Sequence, residues 1–186
     1  MNCYSCESFS LKPVKLDYGL PARECHKCKG VHIDLLSYRS WREDYAGKLE
    51  TAMKNTTDTK VEQVTATDNK KALICKRCSK FMLKYKVSTE HDNFVDICTS
   101  CDDAWLDGGE WQLLKQLQLA GKLTHITTEP WQRNIRAEAV EKTFQQSYQS
   151  KLGDVDFNKL QDMCTWIEQH PEKQELLKYM RITFAN

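Results

Sequence analysis

Three features predict a small, metal-stabilised α+β fold followed by a helical module. Cysteines occur in four CxxC pairs, Cys3/Cys6, Cys25/Cys28, Cys75/Cys78 and Cys98/Cys101. The whole two-pair pattern recurs, with inner gaps of 18 residues (Cys6 to Cys25) and 19 residues (Cys78 to Cys98). The stretch after Thr124 has no cysteine pair and a helical spacing of apolar residues. Two thiolates two residues apart grip one ion by folding the backbone into a tight knuckle. A second knuckle, brought alongside by a hairpin, completes a tetrahedron of sulfur. The spacing fits the closed zinc pattern C-x₂-C-x₁₅₋₂₀-C-x₂-C, so two Zn²⁺ ions are expected as cofactors. Their ligands would be Cys3, Cys6, Cys25 and Cys28 in one site, and Cys75, Cys78, Cys98 and Cys101 in the other.

Other uses of these cysteines are less consistent with the pattern. The N-terminal MNCYSCESFS lacks an apolar signal core, so a reducing cytoplasmic compartment is expected, not an oxidising one suited to disulfides. No βαβ alternation frames a thioredoxin-like CxxC. Paired knuckles favour one tetrahedral ion over an iron–sulfur cluster, leaving zinc or a rubredoxin-like iron, of which zinc is preferred. Each cysteine unit spans only about 45 residues, near the size at which an apolar core alone fails. Structural zinc contributes on the order of 10–16 kcal/mol in finger peptides, enough to hold such a unit.

The expected organisation is a first ribbon over residues 1–49, a linker over 50–70, a second ribbon over 71–122 and a helical module over 123–186. Ser37 or Ser40 can cap a helix from about Tyr38 to Leu49. In the second copy Gly109-Glu110 leads into Trp111, Leu114, Leu117 and Gln118, with Gly121 as the expected C-cap. The stretch from Thr51 to Lys70 is rich in Thr, Asn, Asp and Lys and lacks periodicity, apart from a short strand expected at Val61–Val64. Thr128-Glu129-Pro130 starts a long helix with Trp131, Ile135, Val140, Phe144, Tyr148 and Leu152 on one face, stopped by Gly153. Asp156 is expected to cap a second helix carrying Phe157, Leu160, Cys164 and Ile167, ending at His170-Pro171. A third runs from Glu172 to Met180.

Aligning the copies matches their ligands, the apolar Ile33 with Leu106, and Asp34 with Asp107, while His32 stands where the second copy has Trp105. Cys75-x₂-Cys78…Cys98-x₂-Cys101 followed by Trp105-Leu106-Asp107-Gly108-Gly109-Glu110 resembles the bacterial TFIIB-type zinc-ribbon family. In that family the second knuckle precedes a Trp-Leu-Asp-x-Gly-Glu signature. The resemblance covers about 71–121 well and 1–47 less specifically, and it implies Cys₄ zinc ribbons without implying a shared activity. Lys76 replaces a frequent Pro of that family, and Asp102-Asp103 replace its usual Gly-Gly.

The remaining candidates point to structure more than to chemistry. Lys70, Lys71, Lys76, Arg77, Lys80, Lys84 and Lys86 form an acid-free basic segment interleaved with Phe81 and Tyr85, the composition of a nucleic-acid-binding strand. Glu90, Asp92 and Asp96 on the returning strand would offset it. Each loaded thiolate site adds −2, taking the formal charge from +1 to −3, so no global pull towards nucleic acid is expected. Asp107 and Glu110 would brace a turn and complement the start of a helix. His26 and His32 lie near a site already filled by cysteines, and Cys164 is expected to be a buried core thiol. No apolar run is long enough for a membrane span. The chain is therefore read as non-catalytic, an interaction module for a protein partner. The alternative is a nucleic-acid-binding or transcription-associated factor using the Lys70–Lys86 face.

Overall fold

After its first cysteine pair the chain extends into Lys12–Lys15 (β1), turns through Asp17–Gly19, and returns as Pro21–Glu24 (β2) to the second pair. Val31–Asp34 (β3) follows and leads into Leu35–Asn55 (α1). The second copy repeats this order: Leu83–Lys86 (β4) and Phe94–Cys98 (β5) lie between its pairs, then come Asp103–Leu106 (β6) and Glu110–Gln116 (α2). Leu123–Ile126 (α3), Glu129–Leu152 (α4), Asp154–Gln169 (α5) and Lys173–Thr183 (α6) complete the chain. The computed structural model describes residues 1–7, 9–55 and 66–184. The strand expected at Val61–Val64 lies outside these described residues. The fold is α+β, with one six-stranded antiparallel sheet and six α-helices among the described residues.

The two cysteine units share that sheet, in the order β1-β2-β3-β6-β5-β4. The join is the ladder between β3 and β6, which sets His32 opposite Trp105, Val31 opposite Leu106 and Ile33 opposite Ala104. His32 and Trp105 occupy the same position of the sequence repeat, 73 residues apart. The pairings on either side of them exchange under that repeat, so the two copies meet about a local two-fold axis through this pair. Strand side chains alternate between faces, and here each face has its own core. Val31, Ile33, Ala104 and Leu106 face a helix-covered core with Leu35, Tyr38, Trp111, Leu114, Leu123 and Ile126. Trp105 turns the other way, into a cluster with Tyr4, Leu11, Leu73, Met82 and cysteines of both units. Covered on both sides, β6 is buried along its whole length.

The chain divides into two compact units, Met1–Arg136 and Ala137–Asn186. The first therefore takes in both cysteine units, α3 and the first turns of α4. The Tyr38 hydroxyl accepts from the Leu123 amide at 2.9 Å and donates to the Ala120 carbonyl at 2.8 Å, binding the chain after α2 to α1. Gln132 imitates a strand residue: its side-chain amide accepts from the Lys86 amide and donates to the Lys86 carbonyl on the edge strand β4.

Several helix boundaries differ from expectation. α1 begins at Leu35, because the Asp34 carboxylate accepts from the Ser37 amide at 2.8 Å and its hydroxyl at 2.7 Å; Asp34, not Ser37 or Ser40, supplies the cap. α1 also extends to Asn55, into the stretch expected as linker. α2 stops at Gln116, where Gln118 takes the left-handed conformation (φ 57°) that Gly121 was expected to supply. In the second unit α5 starts at Asp154 directly after Gly153, whose φ of 76° breaks the chain direction, so Asp156 lies inside the helix. Phe157 and Ile167 are its buried residues. No described helix is long and apolar enough to cross a membrane.

A shared sheet implies shared stability. Trp105→Ala should cost about 3–5 kcal/mol, the usual range for emptying a buried aromatic site. Hydrogen exchange along a urea titration should show β1–β3 and β4–β6 opening in one transition. Two separated transitions would mean that the β3–β6 ladder does not couple the halves.

Candidate metal centres

Each CxxC pair bends its backbone in the same way. The residue after the second cysteine of every pair is left-handed although none is glycine: Glu7 (φ 57°), Lys29 (φ 60°), Ser79 (φ 59°) and Asp102 (φ 57°). That conformation is costly for residues with a Cβ, and its use four times identifies four equivalent knuckles. In three of them the amide of that residue donates to the carbonyl of the pair's first cysteine, as in Ser79 to Cys75 at 2.9 Å. Amides also point at sulfur, from Cys6 to Cys3 Sγ at 3.2 Å and from Arg77 to Cys75 Sγ at 3.4 Å.

The knuckles come together in two clusters, Cys3/Cys6/Cys25/Cys28 and Cys75/Cys78/Cys98/Cys101, each with its four sulfurs within 4.8 Å of one another. These are the two ligand sets expected from the spacing. Cys3 Sγ stands 3.5 Å from Cys28 Sγ, and Cys78 Sγ 3.5 Å from Cys98 Sγ. All nine cysteines are free thiols. Sulfurs arranged tetrahedrally at about 2.3 Å from one ion stand about 3.8 Å apart, so both clusters fit a single metal ion. Their acidity fits too. The Lys80 amide, ahead of opposing burial, brings Cys78 down to about 7, while hydrogen bonding to Cys78 pushes Cys101 up to about 12. Burial opposes ionisation of Cys25, yet amides of Cys28 and Lys27 and the Cys3 thiol outweigh it and bring it to about 7. Four crowded thiols cannot all ionise unaided, and a divalent cation removes that conflict.

The Trp105–Glu110 signature serves the opposite copy. Ser5, between Cys3 and Cys6, donates to Asp107 Oδ1 at 2.7 Å, and Trp105 Nε1 donates to the same oxygen at 2.9 Å. A Cβ on Gly108 would stand 2.2 Å from the Cys28 carbonyl oxygen, and one on Gly30 would stand 2.3 Å from Trp105 Cζ2. Only glycine fits at either contact. Tyr4 stacks on Trp105 with ring centroids 4.9 Å apart and lies over His32 at 5.9 Å. At the second cluster Arg77, which replaces Ser5 in the repeat, donates to the fully buried Asp103 at 2.9 Å. His32 Nε2 lies 3.2 Å from that same carboxylate, although burial holds the imidazole below its usual range. Ser5 and Tyr4 carried no signal in the sequence, since nothing there shows that the first knuckle meets the other copy, and Arg77 was read only as part of the basic segment.

Asp107 braces the turn, as expected, and its backbone amide donates to Glu110 Oε2 at 2.7 Å. Glu110 stands in the first turn of α2, as expected, and its other oxygen accepts from Asn93 Nδ2, just ahead of β5, at 3.2 Å. His26 lies edge-on to Phe9 at the surface. The basic segment is largely paired. Lys84 meets Asp96 at 3.1 Å, Lys86 meets Asp92 at 3.2 Å, and Lys76 meets Glu7 at 3.6 Å. Cys164 departs from expectation: it is exposed, because the buried side of α5 is set by Phe157 and Ile167 instead.

Gly108→Ala should therefore loosen the first cluster from within the second copy. A destabilisation of about 1–3 kcal/mol is expected, with Cys3, Cys6, Cys25 and Cys28 alkylated sooner than the other four, as read by mass spectrometry. Equal alkylation of both clusters would contradict the contact. In the native protein Cys164 should alkylate first, and Cys164→Ser should change stability by less than about 0.5 kcal/mol.

Compared with protein-family models, curated proteins and solved structures, the chain matches none.

Proposed function

We propose that the chain is a double zinc-ribbon protein, with one Zn²⁺ in each Cys₄ cluster, acting as a non-catalytic interaction module for a protein partner. Four-sulfur donor sets favour zinc among common cellular divalent ions, and a thiolate-filled tetrahedron leaves no position for water or substrate. The metals are then scaffold. The Trp105–Glu110 signature and the knuckle spacing agree with a TFIIB-type ribbon for the second copy.

The observation that carries the protein-partner reading is the exposed apolar surface of the unit Ala137–Asn186. Val140 is 70% exposed, Phe144 55% and Trp166 54%, and Tyr179, Ile182 and Phe184 are exposed as well. Exposed apolar side chains in such number support an interaction role, and aromatic side chains are favoured anchors at interfaces. The nucleic-acid reading is supported less, because acids on neighbouring elements neutralise Lys84, Lys86 and Arg77. A phosphate backbone would have to displace those pairs.

Protein purified without added metal should contain close to two zinc ions per chain by elemental analysis; a ratio near one would assign the metal to a single cluster. Affinity capture with the full chain should retain a protein partner after nuclease treatment. Phe144→Asp with Trp166→Asp should lose it while both zincs stay bound. Sub-micromolar oligonucleotide binding at physiological salt, abolished by replacing Lys80, Lys84 and Lys86 with Glu, would overturn this reading in favour of the nucleic-acid one.

A further inference from the structure

Next to the first thiolate cluster, a second kind of donor set is assembled from two separate parts of the chain. Asp107 and Glu110 come from the turn between β6 and α2, and Asp68 comes from the segment that enters the second copy. One carboxylate oxygen from each lies within 4.8 Å of the others. Asp107 is 4% exposed, Glu110 1%, and the Asp68 side chain 6%. Three acids are rarely buried together unless something positive joins them.

Two of the three are held in place by donors. Asp107 Oδ1 accepts from Ser5 and Trp105, and Oδ2 accepts from the Asn69 amide at 2.6 Å. Glu110 accepts from the Asp107 amide and from Asn93. Each carboxylate still has lone pairs to offer, since its two oxygens provide about four sites. Asp68 is different, because neither of its oxygens receives a hydrogen bond. Its nearest cation, Lys84 Nζ, is 3.6 Å away and closer to Asp96, at 3.1 Å. Asp96 is itself 1% exposed and keeps an oxygen without a partner. One ammonium thus serves both Asp68 and Asp96. Burial, with the charges of Asp107 and Asp68 adding to it, pushes Glu110 up to about 8. The pocket is short of positive charge and Asp68 is aimed into it unsatisfied.

We propose that Asp68, Asp107 and Glu110 bind a hard divalent cation of the Ca²⁺ or Mn²⁺ class, at a site distinct from the two thiolate clusters. Oxygens within 4.8 Å of one another suit a cation whose ligands stand at about 2.3–2.6 Å. Carboxylate donors select such ions, just as the thiolates select soft ones. The cation acts as a clasp. Thr67 already donates its amide to the Gly108 carbonyl at 2.9 Å, and Asn69 donates to Asp107. An ion shared by Asp68 and the signature turn closes the same contact from its acidic side. Because the proton on Glu110 competes with the ion, binding strengthens as pH rises.

Terbium(III), a hard ion excited through nearby tryptophan, tests the site, since the Trp105 indole donates directly to Asp107. The full chain, zinc-loaded and dialysed free of other divalent ions, should give saturable tryptophan-sensitised emission at one terbium per chain. Ca²⁺ or Mn²⁺ should displace it. Asp68→Asn should weaken binding at least tenfold while zinc content and circular dichroism stay unchanged, and Glu110→Gln should weaken it as well. Ca²⁺ should raise the melting temperature of the wild type but not of Asp68→Asn. No emission, emission that Asp68→Asn leaves intact, or terbium that neither Ca²⁺ nor Mn²⁺ displaces would overturn the proposal. So would an Asp68→Asn protein that melts higher than the wild type with Ca²⁺ affecting neither, because the carboxylates would then be sharing a proton instead of an ion.

Discussion

The ladder between Val31–Asp34 and Asp103–Leu106 joins two halves that are each too small to enclose a core, and most of the first compact unit is organised around it. Pairing β3 with β6 removes one exposed edge from each half and makes a six-stranded sheet broad enough to be covered on both faces. The alternation of side chains along β3 and β6 then sorts residues between those faces. Ile33 and Leu106 go to the helices, while Trp105 goes to the cysteines.

The local two-fold axis through His32 and Trp105 explains why the copies diverge where they do. Two identical large residues at the axis would compete for one space. Trp105 fills it, and the smaller His32 opposes it beneath Tyr4. The same asymmetry runs through the cross-braces. Ser5 reaches across to Asp107 as a short neutral donor, whereas its counterpart Arg77 carries charge to Asp103 of its own copy, and the second cluster is braced from the first copy by Arg39, which donates to Asp102 at 2.9 Å. Each cluster is thus held partly by residues of the other copy, so the geometry of each four-cysteine group is coupled to the packing of both.

Buried charge is distributed unevenly around this framework. Near the second cluster Asp103 meets Arg77 and His32, whereas Asp68 and Asp96 share Lys84, and the buried Asp107 and Glu110 are held by neutral donors. Lys84 is drawn inward to Asp68 and Asp96, while Lys86, Lys76 and Arg77 pair with Asp92, Glu7 and Asp103, so part of a run that reads as a nucleic-acid face from composition is neutralised. The opposite holds in the unit Ala137–Asn186, whose apolar side chains remain at the surface.

Both four-cysteine groups, the α+β class, the long helix starting at Thr128-Glu129 and the breaks at Gly153 and His170-Pro171 were legible in the sequence. Each depends on chemistry that is local in the chain: thiol spacing, helical periodicity, and residues that cannot continue a helix. Asp34 as a cap was within reach on the same grounds, since an acid three residues before Ser37 is a local signal. Tertiary structure alone decided that the two copies form one sheet, that the signature of the second braces the first, and that Asp68 joins Asp107 and Glu110. Cys164 shows the same division: periodicity placed it on an apolar face, but which face is buried depends on the helices packed against it. Contacts between residues a hundred positions apart, such as Ser5 with Asp107, leave no mark on local pattern, because register and burial are set only when the strands meet.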